Sequence, residues 1–485
     1  MSTLAGARVV VVGLGTSGRA AAEVLATLGA QVTGVDRSAA AVEAARAELG
    51  TGPALTAVAD DAALADTVLA AGADLAVVSP GVPATSPLLT RARAEGLRCW
   101  SEVELAWQVQ RTATTTAPEW LTITGTNGKT TTVGMLSSIL TAAGLSAPAV
   151  GNVGTPIVRV AAEGTADVLA VELSSFQLHL THSIEPLASV CLNLAPDHLD
   201  WHGSLAAYRD AKARVYARTR RACVYTDAVT RTMVEEADVA EGARAVGTVL
   251  GTPAVGELGL VEDILCDRAF EPRRRTDAAP LAALGDLTHL APRPDGEVPG
   301  HVVSNALAAA ALARAHGVPP EAVAAGLRSY DGGRHRIETV ATRRGVTWVD
   351  DSKATNAHAA RASLTALPAG RGVWVAGGLA KGARFDDLVA EVADRLRAVV
   401  LIGVDRAPLR EALARHAPDV PVTEVDAGDT GDVMTDAVSA AARLAQPGDT
   451  VLLAPACASM DQFTDYGARG DAFAAAVRAL PGEPA

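Results

Sequence analysis

Lysine is scarce in this sequence. Of its 42 lysines and arginines, only Lys129, Lys212, Lys353 and Lys381 are lysine. Arginine is permanently charged and forked, whereas a lysine amine is a compact charge that can lose its proton and become nucleophilic. If arginine has replaced lysine at exposed positions, the four lysines that remain mark positions where a guanidinium cannot replace an amine. The alternative is that four lysines remain by chance, and the motif around each one has to decide between the two.

Positive charge is also in deficit, because the formal net charge is −13 at pH 7. This balance argues against a nucleic-acid-binding protein and against adsorption to an anionic membrane surface. Any phosphate-bearing ligand must therefore be held by local donors rather than by the overall field of the protein.

Disulfide frameworks and membrane segments are also missing from the pattern. The five cysteines are scattered without a C-x-x-C pair, which is typical of reduced thiols inside a cell. The first residues lack the basic and apolar segments of a secretory signal, and no apolar run approaches the ~18–20 residues of a membrane span. These absences predict a soluble, cytoplasmic protein without membrane insertion. Aromatic residues make up only 3%, so alanine, valine and leucine must build the core.

The order of apolar runs and glycine turns predicts an α/β protein. A chain of 485 residues is long enough for roughly three domains. Three blocks each alternate strand-like apolar runs with helical stretches, which is typical of parallel sheets covered by helices. We place the domains at residues 1–107, 108–332 and 333–485. The first and third are expected to be Rossmann-like, and the second to be a P-loop-type domain.

The first glycine turn, GLGTSG, follows the apolar run RVVVV. Gly13, Gly15 and Gly18 match G-x-G-x-x-G, and Asp36 ends the next strand about twenty residues later. The pattern alone leaves three interpretations open: an NAD(P) site, a site for another nucleotide diphosphate, or a tight turn with a purely structural role. The SPG turn at 79–81 adds a second backbone-rich loop at the same sheet edge.

The second glycine turn, GTNGKT, is a stronger signal. It lies between the strand-like LTIT and a helical stretch, and Gly128, Lys129 and Thr130 form the core of a phosphate-binding loop. Backbone N–H groups would face the phosphates, Lys129 would reach the β- and γ-phosphates, and the Thr130 hydroxyl could bind Mg²⁺. Its first glycine is Gly125, so the loop is a shortened variant of the usual pattern. We predict that the second domain binds ATP.

Acidic and histidine side chains follow two further strands of this domain. Glu172 ends the apolar run VLAVE, where a buried carboxylate is costly unless it meets a cation such as Mg²⁺; the alternative is a strand-end glutamate that reaches solvent. The motif DHLDWHG after the next strand contributes Asp197, His198, Asp200 and His202. A single histidine is more often a packed or surface residue, and His198 is of interest because it follows a strand of the ATP domain.

Taken together, these motifs resemble the Mur ligase family. They are GTNGKT, GNVGTP, ELSSFQL, DHLDWHG followed by YRDAK, GRHRIE, DDSKATN and APACASMDQF, and they occur in this order along the whole chain. ELSSFQL combined with DSKATN and PACASMDQF is similar to the branch that uses D-glutamate. The resemblance implies an ATP-dependent, amide-bond-forming ligase of cytoplasmic peptidoglycan precursor synthesis. Such an enzyme adds D-glutamate to UDP-N-acetylmuramoyl-L-alanine through an acyl phosphate, and we expect a monomer.

The resemblance also implies roles for the three domains and for named residues. The first domain would bind the UDP substrate, the second ATP, and the third the amino acid. Nucleotide contacts are expected from Gly125, Thr126, Asn127, Gly128, Lys129, Thr130, Thr131, Arg336 and Asp351. UDP-substrate contacts are expected from Leu14, Ser17, Asp36, Arg37, Ser79, Pro80, Gly81, Asn152 and His198. D-Glutamate contacts are expected from Lys353, Thr355, Lys381, Ser459 and Tyr466.

Two Mg²⁺ ions are implied as well, with Thr130, Glu172, His198 and Lys212 around them. Lys212 falls where the family carries a carbamylated lysine. A neutral amine can capture CO₂ and become an anionic oxygen ligand, which a guanidinium cannot do. Lys129, His198 and Lys212 are the expected catalytic residues, and all four lysines of the chain lie in motifs.

One departure from the family pattern concerns the nucleotide side. Val302 follows His301 where the family usually has an asparagine, and Asn305 is close in sequence but in a helical position. The sequence does not establish that Asn305 replaces the missing side chain.

Two alternative functions stay open. A Mur-type or folylpolyglutamate-like ligase for another amino acid would share the ATP loop, and an NAD(P)-dependent dehydrogenase would use Gly13–Gly18 with Asp36. If the ligase interpretation is right, we expect the third domain to close on the second during the reaction.

Overall fold

A computed structural model of the chain describes residues 4–50, 52–113, 117–291, 297–426 and 430–481. It contains three separate β-sheets of five, nine and six strands. The chain divides into two compact units. The first unit comprises Met1–Ala283 and Ser304–Ser329, and the second comprises Leu284–Val303 and Tyr330–Ala485. None of the helices in these described ranges combines the length and the apolar composition that crossing a membrane requires.

The first sheet belongs to the first unit and is entirely parallel, in the order β3-β2-β1-β4-β5. Its strands are β1 (Arg8–Val12), β2 (Gln31–Asp36), β3 (Ala54–Ala57), β4 (Leu75–Val78) and β5 (Arg98–Trp100). The helices around it are α1 (Thr16–Thr27), α2 (Ala39–Leu49), α3 (Asp61–Ala70), α4 (Pro87–Ala94) and α5 (Glu102–Ala113). The valines of β1 are buried on both faces, as an unbroken apolar run in a parallel sheet requires.

The second sheet, also in the first unit, has the order β14-β13-β12-β11-β10-β9-β6-β8-β7. Its strands are β6 (Glu119–Thr124), β7 (Ala149–Gly151), β8 (Val168–Glu172), β9 (Ala188–Cys191), β10 (Ala222–Tyr225), β11 (Arg244–Thr248), β12 (Glu257–Val261), β13 (Ile264–Asp267) and β14 (Ala279–Ala283). The strands from β7 to β12 pair in parallel, whereas β13 and β14 form an antiparallel edge.

Eight helices accompany the strands of the second sheet along the chain. They are α6 (Lys129–Ala142), α7 (Ile157–Glu163), α8 (Ser175–His179), α9 (Leu199–His202), α10 (Leu205–Ala213), α11 (Ala228–Glu235), α12 (Gly300–His316) and α13 (Pro320–Ser329). A short 3₁₀ turn, Arg214–Tyr216, follows α10 directly. Strand β6 lies between β8 and β9, so the loop after β6 sits at the centre of the sheet edge.

The third sheet lies in the second unit and has the order β15-β16-β20-β17-β18-β19. Its strands are β15 (Glu338–Arg343), β16 (Val346–Asp350), β17 (Gly372–Gly377), β18 (Leu396–Ile402), β19 (Val422–Glu424) and β20 (Thr450–Leu453). Its helices are α14 (Ala357–Thr365), α15 (Asp386–Val392), α16 (Ala407–His416), α17 (Thr430–Leu444) and α18 (Tyr466–Ala479). Only β15 runs antiparallel to its neighbour.

Buried carboxylates on α5 join the first two sheets within the first unit. Glu102 accepts a hydrogen bond from the Val158 N–H at the start of α7, at 2.9 Å. Burial raises the pKa of Glu102 to about 7. Glu104 accepts the backbone N–H groups of His182 and Ser183 at 2.7 and 2.9 Å. These bonds satisfy backbone donors that would otherwise be buried without partners, so they fix α5 against the second sheet.

Candidate active site

The phosphate-loop sequence adopts a strand–loop–helix turn. Strand β6 ends at Thr124, and α6 begins at Lys129. Gly128 has a φ of +82°, and a Cβ there would lie 2.5 Å from the Oδ1 atom of Asn305. The loop is also held by Asn193, whose Oδ1 accepts the Asn127 N–H at 2.9 Å. The left-handed backbone conformation therefore favours glycine, and a larger residue would also displace the Asn305 side chain that α12 brings against it.

Two of the four lysines meet at one carbonyl of this loop. The Lys129 Nζ donates to the backbone oxygens of Gly125 and Thr126, each at 2.9 Å. The Lys212 Nζ donates to the same Gly125 oxygen at 2.7 Å. Lys129 begins α6 and Lys212 lies near the end of α10, so two separate helices supply the amines.

Lys212 is almost fully buried, with 1% of its surface exposed. Burial, and then the positive charge of Lys129, lower its pKa to about 7. Its amine lies 4.6 Å from the centre of the Tyr208 ring, one turn earlier on α10. The Tyr208 hydroxyl lies 3.2 Å from the Thr126 hydroxyl, so α10 contacts the loop through two side chains. A substantial fraction of Lys212 is therefore a neutral amine near pH 7, which is the form that reacts with CO₂.

Glu172 is buried beside the phosphate loop and not directed to solvent. It is paired in register with Ile123 of β6, and 1% of its surface is exposed. Its Oε1 accepts the Asn152 side-chain N–H at 3.0 Å, whereas Oε2 is buried without a hydrogen-bond partner among the described residues. A buried carboxylate oxygen with an open lone pair next to a phosphate loop fits a hard divalent cation such as Mg²⁺. Thr130, predicted to bind the same ion through its hydroxyl, is the second residue of α6.

His198 lies at the start of α9 in a left-handed backbone conformation, with a φ of +53°. Its ring packs edge-on against Phe176 at 4.8 Å and lies 6.4 Å from the Tyr208 ring. Its Nε2 lies 3.6 Å from a carboxylate oxygen of Asp197. His202, the other histidine of DHLDWHG, instead lies 2.9 Å from the Ser175 hydroxyl. The structure thus brings His198 to the tyrosine that also contacts Lys212.

Seven of the nine predicted UDP-substrate residues lie at one edge of the first sheet. The loops after β1, β2 and β4 and the start of α1 carry them, and these three strands are neighbours. This edge includes the point between β1 and β4 where the strand order reverses, and open parallel sheets commonly bind ligands at such a point. Arg37 is exposed and paired with Asp61 at 3.1 Å. Asn152, predicted for the same substrate, lies on the second sheet and bonds Glu172.

The Asp36 carboxylate supports the first glycine loop through hydrogen bonds to the backbone. Both carboxylate oxygens of Asp36 accept backbone N–H groups, from Leu14 at 2.6 Å and from Ser38 at 2.7 Å. An Asp36 that binds the ribose of NAD would need these oxygens for the sugar hydroxyls. The Leu14 side chain is fully buried, so a substrate contact from this residue is limited to its backbone.

The predicted D-glutamate residues occupy loops after three neighbouring strands of the third sheet. Lys353 and Thr355 follow β16, Lys381 follows β17, and Ser459 and Tyr466 follow β20. The Lys353 amine lies 3.7 Å from the centre of the Tyr466 ring. An isolated bridge between Leu379 and Ala458 also holds the second and third of these loops together.

The predicted nucleotide residues of the second unit lie near this edge. The Asp351 carboxylate is buried and accepts the Ser363 hydroxyl. Burial raises its pKa to about 7, although the bond from Ser363 and the charge of Arg336 act in the opposite direction. Arg336 is therefore close enough to Asp351 for its charge to act on the pKa of that carboxylate.

The sequence did not reveal two residues that organise these loops. The Arg469 guanidinium is 1% exposed and donates to the Ser352 hydroxyl, the Ser352 carbonyl and the Cys457 carbonyl at 3.0, 2.9 and 3.1 Å. His335 bonds the Asp350 carboxylate through Nδ1 at 2.7 Å. Arg469 lies in the alanine-rich α18, where nothing in the local pattern separates it from a surface arginine.

Comparison with known proteins identifies the relationship. The Mur ligase MurD-like N-terminal domain matches residues 7–101, the Mur ligase middle domain matches 123–248, and the glutamate ligase domain of Mur ligases matches 335–457. A protein of Streptomyces avermitilis named UDP-N-acetylmuramoylalanine–D-glutamate ligase is 54% identical, over 99% of this chain and 100% of its own. A protein of the same name from Thermobifida fusca is 52% identical, with the same coverage.

Solved structures agree on the fold. The UDP-N-acetylmuramate–alanine ligase MurC of Thermotoga maritima matches with a TM-score of 0.56 at 18% identity, over 98% of this chain and 100% of that one. The folylpolyglutamate synthase of Mycobacterium tuberculosis complexed with ADP matches with a TM-score of 0.54 at 17% identity, over 76% and 92%. The predicted three-domain α/β fold and the resemblance seen in the motifs are confirmed: the chain belongs to the Mur ligase family.

Proposed function

We propose that this chain adds D-glutamate to UDP-N-acetylmuramoyl-L-alanine, with ATP as the energy source, in peptidoglycan precursor synthesis. The observation that carries the proposal is the convergence of Lys129 and Lys212 on the Gly125 carbonyl, with the open Oε2 of Glu172 on the neighbouring strand. This is a phosphoryl-transfer site with two amines and a metal-binding carboxylate. The full-length relatives with this name support the choice of substrates.

The first step is transfer of the γ-phosphoryl group of ATP to the alanyl carboxylate, which gives an acyl phosphate and ADP. The loop backbone and Lys129 would hold the phosphates and offset their charge, since this reaction is catalysed mostly by positioning and electrostatics. Mg²⁺ would supply additional charge neutralisation, held by Glu172 and Thr130 at one position and by His198 and carbamylated Lys212 at a second.

Carbamylation of Lys212 is a separate part of the proposal. Its neutral amine would add CO₂ and release one proton, which leaves an anionic carbamate on Nζ. The lowered pKa favours this step, because the protonated amine has no lone pair for the attack. His198 would orient the acyl phosphate or accept a proton at its ring nitrogen.

The second step is attack of the D-glutamate amine on the acyl carbon, with release of phosphate and formation of the amide. We propose that Lys353, Lys381, Thr355, Ser459 and Tyr466 bind the two carboxylates of D-glutamate, because cations and hydroxyls are the groups that recognise carboxylates. Lys353 and Tyr466 are in contact, so both can bind the same D-glutamate molecule.

Further parts of the proposal concern the remaining substrate groups and the organisation of the chain. The UDP substrate would be held by Ser17, Asp36, Arg37, residues 79–81, Asn152 and His198, and by the backbone of Leu14. The nucleotide would be contacted by Arg336 and Asp351. We propose domain boundaries at 107/108 and 332/333, a monomeric state and a cytoplasmic location.

The test is phosphate release from ATP and Mg²⁺ with UDP-N-acetylmuramoyl-L-alanine, with and without D-glutamate, and with a panel of other amino acids. We expect release that requires both D-glutamate and the UDP substrate. Release with another amino acid would retain the ligase chemistry and overturn the substrate assignment. No release with any amino acid would overturn the proposal, and reduction of a nicotinamide cofactor would favour the dehydrogenase alternative.

A further inference from the structure

A cavity of about 330 Å³ lies in the first unit, lined by none of the residues of the candidate active site. One side is formed by the segment that follows α8, and the other by the 3₁₀ turn after α10 and its continuation. Its lining residues are Thr181, His182, Ile184, Arg214, Ala217 and Arg218. The volume is at the small end of the range for ligand-binding pockets, about 300–1,000 Å³.

The charged side chains of this cavity are cationic. Arg214 and Arg218 are exposed, and each uses one guanidinium nitrogen to donate to a backbone carbonyl, of His179 at 2.8 Å and of His182. A guanidinium has five N–H donors, so most donors of both side chains remain available to a ligand. The His182 ring lies across the same cavity, with its Nε2 3.2 Å from the Cys99 carbonyl oxygen.

These cations lack acidic partners. Among the described side chains, no carboxylate oxygen lies within 4.0 Å of a nitrogen of Arg93, Arg214 or Arg218, in a chain whose acidic residues outnumber lysine and arginine by 13. Arg93 of α4 is close enough that its charge adds to burial in lowering the pKa of Arg214. The buried carboxylate of Glu104 bonds the segment that lines the cavity, but it already accepts the backbone N–H groups of His182 and Ser183.

We propose that this cavity binds a small phosphate anion, either inorganic phosphate or a phosphate monoester, outside the active site. Two forked guanidiniums without ion pairs match the oxygens of a phosphate, and Arg is the side chain suited to such bidentate contacts. The two guanidiniums supply the donors, because the Thr181 hydroxyl already donates to the Gln177 carbonyl at 2.7 Å and the His182 Nε2 faces the Cys99 carbonyl. Ile184 and Ala217 limit the space for anything larger. The inference rests on this cavity alone and does not depend on the proposed function.

The site would also be connected to the reaction machinery through the chain. Arg214 follows Lys212 by two residues, and its bond to the His179 carbonyl ties the end of α10 to the end of α8. A phosphate at Arg214 would therefore bind at the joint between the helix of Lys212 and the helix that follows Glu172.

The test is calorimetric titration of the full-length chain with inorganic phosphate and, separately, with glycerol phosphate. A non-hydrolysable ATP analogue and Mg²⁺ fill the phosphate loop beforehand, so that binding there does not contribute. We expect one additional site per chain. Arg218→Gln should weaken its affinity about tenfold or more, because it removes charge-assisted hydrogen bonds. Arg93→Gln should weaken the affinity by a smaller factor, because Arg93 is near Arg214 but is not among the residues that line the cavity.

Arg220→Gln is the matched control, because Arg220 lies two residues from Arg218 but pairs with Glu119 outside the cavity; its phosphate affinity should equal that of the unmodified chain. Circular dichroism checks that each variant is folded. The absence of phosphate binding once the loop is filled would overturn the proposal. So would equal affinities of Arg218→Gln and the unmodified chain, or binding of malonate in preference to both phosphates.

Discussion

The two glycine-rich loops of the first unit follow strands in the same way but are held by different contacts. In GLGTSG, a Cβ at Gly18 would lie 1.8 Å from the Gly13 carbonyl oxygen, and Asp36 bonds the backbone of the loop. In GTNGKT, the Asn193 side chain accepts the Asn127 N–H, and the Asn305 side chain occupies the space where a Cβ at Gly128 would point. A side chain from another segment thus supports each loop, and in the first the loop backbone also closes on itself.

The charged groups around the two loops differ in what they bond. Each carboxylate oxygen of Asp36 accepts one backbone N–H. At the second loop, Lys129 and Lys212 share one carbonyl, and an oxygen of Glu172 is left open. A glycine pattern therefore specifies a backbone shape, and the side chains brought by neighbouring elements decide whether that shape supports chemistry or only binding.

The largest expected effect is at Lys129. Lys129→Met removes the charge that would face the β- and γ-phosphates, while its aliphatic part fills the same space. We expect D-glutamate-dependent phosphate release to fall by roughly 10²–10³-fold or more, the magnitude typical of losing one transition-state donor. The matched change at the other loop is Ser17→Ala, which should raise the KM for the UDP substrate with little change in kcat. Equal losses of kcat in both variants would remove the distinction between the loops.

The next effect concerns carbamylation of Lys212. Lys212→Arg keeps a positive charge but cannot capture CO₂, so we expect phosphate release to fall to a few per cent or less. In the unmodified chain, the pKa of about 7 means that the amine becomes neutral as pH rises from 6 to 8. After CO₂ has been removed and a fixed concentration restored, activity should return faster at pH 8 than at pH 6. Full activity of Lys212→Arg, or recovery at the same rate at both pH values, would contradict the carbamate.

The third prediction tests the closed backbone of the first loop. Gly18→Ala places a methyl group against the Gly13 carbonyl oxygen, and neither backbone segment can move without breaking the turn. We expect the first unit to lose about 3 kcal/mol of stability in urea unfolding, at the high end for an overpacked site. Gly15→Ala is the control, since Gly15 has a φ of −66° and a Cβ there meets open space. A similar loss in both variants would mean that steric closure is not the cause.

The smallest effect is expected at Asp36. Asp36→Asn keeps one carbonyl acceptor for the N–H groups of Leu14 and Ser38 and replaces the other with an amide donor. The cost should be about 1–2 kcal/mol of stability, with kcat changed less than threefold. Unfolding and steady-state kinetics measure both quantities. If Asp36→Asn instead abolished turnover, Asp36 would take part in the reaction itself and would not only support the loop and the UDP substrate.

Much of the candidate site could be predicted because it lies in local motifs. Thr124–Thr131 specify a strand, a glycine loop and a helix within eight residues, and the structure has these elements in that order. The loops after β16, β17 and β20 could be placed at one edge, because parallel strands direct their carboxyl ends to the same side of a sheet. Arg469, Asn193 and Tyr208 could not be found in this way, because each acts on a segment distant in sequence.

Asn305 shows why the remainder required the structure. The sequence marks Val302 as a missing asparagine and leaves the role of Asn305 open, since helix periodicity gives the face of a residue but not the element that it meets. The structure places the Asn305 side chain against Gly128, 177 positions earlier in the chain. The site roles assigned by resemblance stay predictions until the variants are measured.

The sequence by itself determined the family, the α/β class, the phosphate loop and the four lysine positions, because these depend on local spacing and composition. Only the tertiary structure decided that Lys129 and Lys212 share one carbonyl, that Asp36 bonds the loop backbone, and that the cations around Arg214 lack acidic partners among the described residues. The physical reason is common to all three. Burial and electrostatic environment arise from packing between distant segments. They set the charge state of each side chain and leave open the lone pairs and N–H donors on which the chemistry depends.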